Sequence, residues 1–225
     1  MASIDPEELL AEIRGERGYA LSYHEMLART DTEFLIAYRE LYRQFTLVPR
    51  HLDARRRELI WTALLCSIDE FVGSIHLERA LAAGVSHSEL RDAVRLGGVA
   101  SAWDAIDFAH SEWPHLLGEG PSGPDEYRIV IDGARGDLQP VEADLILACV
   151  SGARMKERQF LHHLGVLLEA EVPEREILES VSYIMLPTGA NTFLWATDAW
   201  MNAVRAGDLP AGEVMSKVSF DTRTA

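Results

Sequence analysis

The chain has 225 residues, 48% apolar and 25% charged, enough to bury a substantial core in one soluble domain or two small ones. Its 21 basic and 36 acidic residues give a formal net charge of −15, which argues against nucleic acid and against anionic membrane surfaces as partners. An anionic substrate would need a local basic pocket to overcome that field. No apolar run approaches the roughly 18 residues of a membrane span, and the N-terminus lacks the apolar core of a signal peptide, so the cytoplasm is the expected compartment.

Ser3-Ile4-Asp5-Pro6-Glu7 reads as a helix start: a capping-type residue, an early Pro and acids in the first turn. That helix is expected to reach residue 14, with an interruption from Gly15 to Gly18. Residues 19–28 and 31–45 follow with helical periodicity. In the second, Phe34, Leu35, Tyr38, Leu41, Tyr42 and Phe45 fall on one apolar stripe. Pro49 closes it and Leu52-Asp53 opens the next helix, which carries Arg55-Arg56-Arg57. This basic run reads either as a solvated face partnered by Asp53 and Glu58 or as an anion site at the mouth of a pocket.

Glu58 to Ser86 (ELIWTALLCSIDEFVGSIHLERALAAGVS) is expected to form two helices meeting near Cys66–Ser67, the second carrying Asp69, Glu70 and His76. Ser86 and Glu89 form a capping box for a helix through about Ala100, and another helix runs from Ala102 to Trp113. His110 and His115 read as helix-end or loop histidines. Residues 114–136, rich in Pro, Gly and acids, look like a linker, in which EYRIVI has the composition of a short strand.

From Asp137 the pattern begins again. Leu52 and Leu138, Glu58 and Asp144, and Ile60 and Ile146 are each 86 residues apart; His76 and His163, Val85 and Val172, Glu89 and Glu176, and Trp113 and Trp200 are each 87 apart. A constant offset with a one-residue slip marks repeated structural units. The expected organisation is an N-terminal helical extension (1–29), a first repeat (30–118), a linker (119–136), a second, diverged repeat (137–206) and a C-terminal tail (207–225). The tail has no sustained apolar pattern and reads as mobile or as an arm onto a partner subunit.

On one continuous helix, Asp69 and His76 would lie two turns apart and within about 20° of each other, so the carboxylate could orient the imidazole. His76 is either a satisfied core histidine or an acid–base group. In the second copy Lys156 and His163 have the same spacing, and Lys156, Arg158 and Arg154 form a basic cluster that could hold an anionic substrate or simply face solvent. His162 and His163 are adjacent on a helix and poor co-ligands, so no metal is expected. Cys66 and Cys149 lack CxxC spacing and read as buried free thiols. Pro187 to Thr192 reads as a capping loop.

The run LDARRRELI, then a break, a helix carrying His76 and then ALAAGVSHSEL resembles the carboxymuconolactone decarboxylase and alkylhydroperoxidase D superfamily. LQPVEADLI to His163 to EAEVPEREI is similar to a diverged copy. The resemblance implies an all-α fold of two tandem antiparallel helical units related by a pseudo-twofold, assembled as a homodimer or trimer. Peroxidases of that family carry a CxxC pair before the histidine. Those positions here are Asp69 and Val72, then Lys156 and Gln159, so thiol peroxidase activity is a distant alternative. Decarboxylase-like members place a Glu one turn before the histidine, where this chain has Val72 or Gln159.

The implied function is a cofactor-free enzyme doing acid–base chemistry (decarboxylation, isomerisation or lactone chemistry) on a small organic acid or lactone. His76, Glu58 and Asp69 would be catalytic; Lys156, Arg158 and His163 would bind substrate. The alternative is a non-catalytic ligand-binding or assembly protein on a degenerate scaffold.

Overall fold

A computed structural model describes residues 5–218. Its described elements are helices, with no strand among the described residues. The chain divides into two compact units, residues up to Val48 and residues from Pro49 onward.

The first unit contains α1 (Pro6–Arg17), α2 (Ser22–Thr30) and α3 (Thr32–Thr46). Asp5 accepts a hydrogen bond from the Glu7 N–H at the start of α1. The helix then runs through Gly15 and ends at Gly18 in the left-handed region, so the interruption expected from Gly15 is instead the end of α1. The part of the expected helix start at Ser3 and Ile4 lies outside the described residues. Leu9, Leu10, Ile13, Ala28 and Leu35 form the core of this unit. Of the α3 stripe only Leu35 is buried, while Phe34 and Leu41 are exposed. The α3 helix, which the repeat pattern groups with later residues, belongs by its contacts to the unit containing α1 and α2.

The second unit is built around α4 (Ala54–Ser67) and α10 (Pro140–Ala153). Arg57 to Leu65 and Glu142 to Gly152 are buried without interruption, which is the signature of helices covered on every side. Leu145, Ile146, Leu147 and Val150 are fully enclosed, each stabilising the fold by roughly 1.5–3 kcal/mol through removal from water. Around α4 pack α5 (Ser74–Ala82) and α6 (His87–Val99). Around α10 pack α11 (Glu157–Glu169), α12 (Glu174–Ser182) and α14 (Ala190–Ala206). The α7 helix (Ala102–Glu112) lies against α9 (Gly123–Ala134), with the short α8 (Pro114–Leu117) between them in sequence and α13 (Met185–Thr188) leading into α14.

Two expectations for this unit are corrected. EYRIVI, read as a strand within a linker, lies in α9: Ser122 caps the Asp125 N–H, and Tyr127, Ile131 and Ala134 bury one helical face. Burial of that face outweighs the β propensity of Ile129-Val130-Ile131. The tail was expected to be mobile or an arm onto a partner subunit, yet its described part is held within the chain by Glu174, whose carboxylate accepts the N–H groups of Gly212, Val214 and Met215 at 2.5–3.0 Å. Residues 219–225 of that expected arm lie outside the described residues.

Left-handed backbone recurs at the intervals seen in the sequence. Asp69 and Met155, 86 apart, have φ of 58° and 54°; Gly84 and Glu171, 87 apart, have φ of 87° and 57°.

The approach of α6 to α4 depends on Gly97, where a Cβ would stand 2.8 Å from the Ala63 carbonyl oxygen. A backbone atom cannot yield, so Gly97→Ala is expected to destabilise by roughly 1–3 kcal/mol. Gly98→Ala, next door in open space, should instead stabilise by up to about 1 kcal/mol. Denaturant unfolding of the two variants measures this, and equal effects would contradict the close approach.

Candidate functional site

Glu58 lies in the early part of α4, and His76 is the third residue of α5. Between them the chain reverses through a tight turn. Asp69 takes the left-handed conformation, Glu70 accepts the Val72 N–H at 3.0 Å, and a 3-10 turn spans Phe71–Gly73. The reversal lays α5 back along α4, with His76 Nδ1 2.7 Å from Glu58 Oε2. Arg57 Nε donates to the other carboxylate oxygen, Oε1, at 3.0 Å.

A carboxylate held this way only accepts, so Nδ1 carries the proton and Nε2 presents a lone pair. Burial lowers the His76 pKa below its ordinary value. The Glu58 hydrogen bond and charge oppose that shift, while Arg79 and Arg57 reinforce it. The imidazole is therefore neutral at pH 7.

Trp61, one turn after Glu58, stacks on the His76 ring (4.6 Å between centroids, 23°), and Tyr183 also stacks against Trp61, at 5.1 Å. Tyr183 donates to Glu179 at 2.6 Å, and Glu179 also accepts the N–H groups of His51 and Leu52. Burial, then the hydrogen bond to Glu179, push the Tyr183 phenol pKa up. The imidazole is thus fixed by a carboxylate at its edge and an indole on its face.

A second set has the same form. His163 Nδ1 lies 2.8 Å from Asp144 Oδ1, and both terminal nitrogens of Arg128 donate to Asp144, at 2.7 and 3.1 Å. Burial raises the Asp144 pKa, but the hydrogen bonds from His163 and Arg128 outweigh it and hold the carboxyl below its usual range. Burial lowers the His163 pKa against the pull of Asp144. The difference between the sets is access: His163 is fully enclosed, whereas His76 retains 4% exposure.

The remaining candidates fall elsewhere. Asp69 lies in the left-handed turn and not on α5, so the shared-face argument for Asp69 and His76 does not hold. Lys156 precedes α11 and pairs with Asp104 at 3.1 Å, as does Arg154 at 3.2 Å; Arg158 is exposed and pairs with Asp107 at 2.8 Å. The basic cluster is thus matched by acids of α7. Nor is the arginine run an anion site: Arg55 bridges Glu89 and Glu142, Arg56 reaches Glu176, and Arg57 holds Glu58.

Cys66, expected to be buried, is exposed, while Cys149 is buried. Burial raises both thiol pKa values, with Asp69 adding to the effect at Cys66, so neither favours the thiolate a peroxidase needs. Among the described residues no group of three or more His, Cys, Asp or Glu is placed to hold a metal. A cavity of about 270 Å³ lies between the α11–α12 turn and the C-terminal segment, and none of the candidates borders it.

Sequence reading missed Trp61, Tyr183 and Arg128, whereas Glu58 was among the partners expected for the arginine run that includes Arg57. Trp61 was recoverable from its i+3 spacing to Glu58. The N-cap signal Ser122 with Pro124 would have put Arg128 on a helix.

Residues 33–111 match the model of the carboxymuconolactone decarboxylase family. Over that segment, about a third of its length, the chain is similar to that family. The match includes Glu58, Trp61 and His76 and ends before Asp144 and His163. No curated protein matches the sequence. One similar solved structure is a protein provisionally assigned as a gamma-carboxymuconolactone decarboxylase subunit from Burkholderia xenovorans LB400. It is 20% identical, with a TM-score of 0.42 over 91% of this chain and 100% of that one. Among the described residues no helix is long and apolar enough to cross a membrane.

The buried histidines make stability depend on pH. Burial, with the nearby His163, lowers the His162 pKa to about 4, against about 6.5 in the unfolded chain. Between those values the unfolded chain binds a proton that the folded one does not. Stability is therefore complete above pH 6.5 and falls toward pH 4, by roughly 2 kcal/mol for this group. His162→Phe should gain on the wild type by that amount as pH drops from 6.5 to 4 in denaturant unfolding; a constant difference would contradict the assignment.

Proposed function

We propose that the protein is a carboxymuconolactone decarboxylase-like enzyme doing acid–base chemistry, without a cofactor, on a small organic acid, lactone or related carbonyl compound. The observation that carries this reading is the Arg57–Glu58–His76 chain, which leaves a neutral imidazole with Nε2 free of the carboxylate. Nε2 takes a proton from the substrate and later returns it; meanwhile Glu58, on Nδ1, stabilises the imidazolium. Trp61 keeps the ring from turning. Lys156 and Arg158, held by acids of α7, are poorly supported as substrate contacts. Asp69 has no supported part in the chemistry.

The two carboxylate–histidine pairs, together with the recurrent left-handed turns, support the reading of residues 49–206 as tandem units related by a pseudo-twofold. The family reading implies a homodimer or trimer, and the exposed Phe108, Trp113, Leu116 and Leu117 at the end of α7 and in α8 support a contact of that kind.

A second reading, a non-catalytic binding or assembly protein on a degenerate scaffold, is favoured by the near-complete burial of His76. Turnover decides between them. With carboxymuconolactone and related lactone acids as probes, wild-type turnover is expected. His76→Gln should lower it by at least about 100-fold with the fold intact by circular dichroism. Glu58→Gln should lower it in the same direction. The acid limb of kcat/KM should fall below pH 6.5, because only neutral His76 is active. Full activity in His76→Gln would sink the proposal, and binding without turnover across the panel would favour the second reading.

A further inference from the structure

Around His163 several buried polar atoms meet no partner within the protein. They are His163 Nε2, Gln159 Oε1 and His162 Nε2. His163 and Gln159 are both fully enclosed and lie one turn apart on α11, so their side chains share a face.

The surrounding contacts place these groups in one cluster. Gln159 Nε2 donates to the Tyr127 hydroxyl at 2.7 Å and to the Ala100 carbonyl at 3.0 Å. The Tyr127 ring lies 5.8 Å from the His163 ring and 5.1 Å from Trp103. Trp103 in turn lies 5.1 Å from His162, whose ring is 5.2 Å from that of His163.

Unpaired, each such group would cost roughly 1–3 kcal/mol, and native interiors rarely leave several together. The hydrogen-bonding capacities decide what would satisfy them. His163 gives its Nδ1 proton to Asp144, so Nε2 is an acceptor. Gln159 uses its NH2 group on Tyr127 and Ala100, so Oε1 is an acceptor as well. The Tyr127 hydroxyl, which receives Gln159, has its own proton to give. Two acceptors and this donor suit a water molecule, which can give one hydrogen bond to His163 Nε2 and one to Gln159 Oε1 and take one from Tyr127.

We propose that Gln159, His163 and Tyr127 enclose a buried hydration site, filled by water or another small neutral hydrogen-bond donor, and closed to anions. An anion has no hydrogen to offer His163 Nε2 or Gln159 Oε1. The low pKa of both histidines agrees, since neither supplies a cation at pH 7. The assignment replaces the expectation of His163 as a contact for an anionic substrate. It stands independently of any turnover at His76.

The test is a high-resolution crystal structure of the full chain at pH 7, grown with and without sodium formate, together with the Gln159→Met variant. The expected result is one ordered water within hydrogen-bond distance of both His163 Nε2 and Gln159 Oε1. It should be unchanged by formate and lost or displaced in Gln159→Met. A dry site, with the Gln159 amide turned over and the three groups bonded to one another, would overturn the proposal. So would formate bound on His163. The wild-type result stands alone if the variant fails to fold.

Discussion

The second unit depends on a carboxylate and an imidazole held together between two central helices and the helices that fold back on them. Glu58 and Asp144 lie on α4 and α10, which are covered on every side, where an unpaired charge would be prohibitively costly. Each carboxylate meets an arginine and a histidine Nδ1, so both oxygens are occupied. The cost of burying the charge ties the position of α5 to α4 and of α11 to α10. It also sets the tautomer, because the carboxylate accepts a hydrogen bond from Nδ1–H, which leaves Nε2 with the lone pair. Fold and candidate chemistry thus share one constraint.

The two pairs use this constraint differently. At His76 an indole covers the ring and slight exposure remains. At His163 the ring is sealed among Tyr127, His162 and Gln159. Asp144 also receives both ends of Arg128, a bidentate clamp stronger than the single Arg57 contact at Glu58. The more tightly held, fully enclosed pair suits a structural role; the less enclosed one suits chemistry. The family match includes the first pair and stops short of the second.

Much of this arrangement was legible in the sequence. The Ser86–Glu89 capping box and the Asp31 and Asp53 caps were readable because each is a local contact between a side chain and a nearby N–H. Glu58 and His76 emerged through the repeat and the family resemblance; periodicity alone could not show that an 18-residue separation closes into a 2.7 Å contact. Asp69 was misplaced because a non-glycine residue in the left-handed region leaves no composition signal, so the chain read as continuous helix where it turns. EYRIVI misled for the opposite reason: its β-branched residues are a weak local preference, overridden when Tyr127 and Ile131 bury against the unit. The matching of Lys156 and Arg158 by acids of α7 is a tertiary fact, invisible along one helix.

The central claim is that the Glu58 contact fixes His76 as a neutral imidazole protonated on Nδ1. Nitrogen-15 chemical shifts of the His76 ring at pH 7 read this directly, in the wild type and in Glu58→Gln. The account requires a protonated Nδ1 and an unprotonated Nε2 in the wild type, with that preference weakened in the variant. A proton on Nε2, or a charged ring, in the wild type would contradict it.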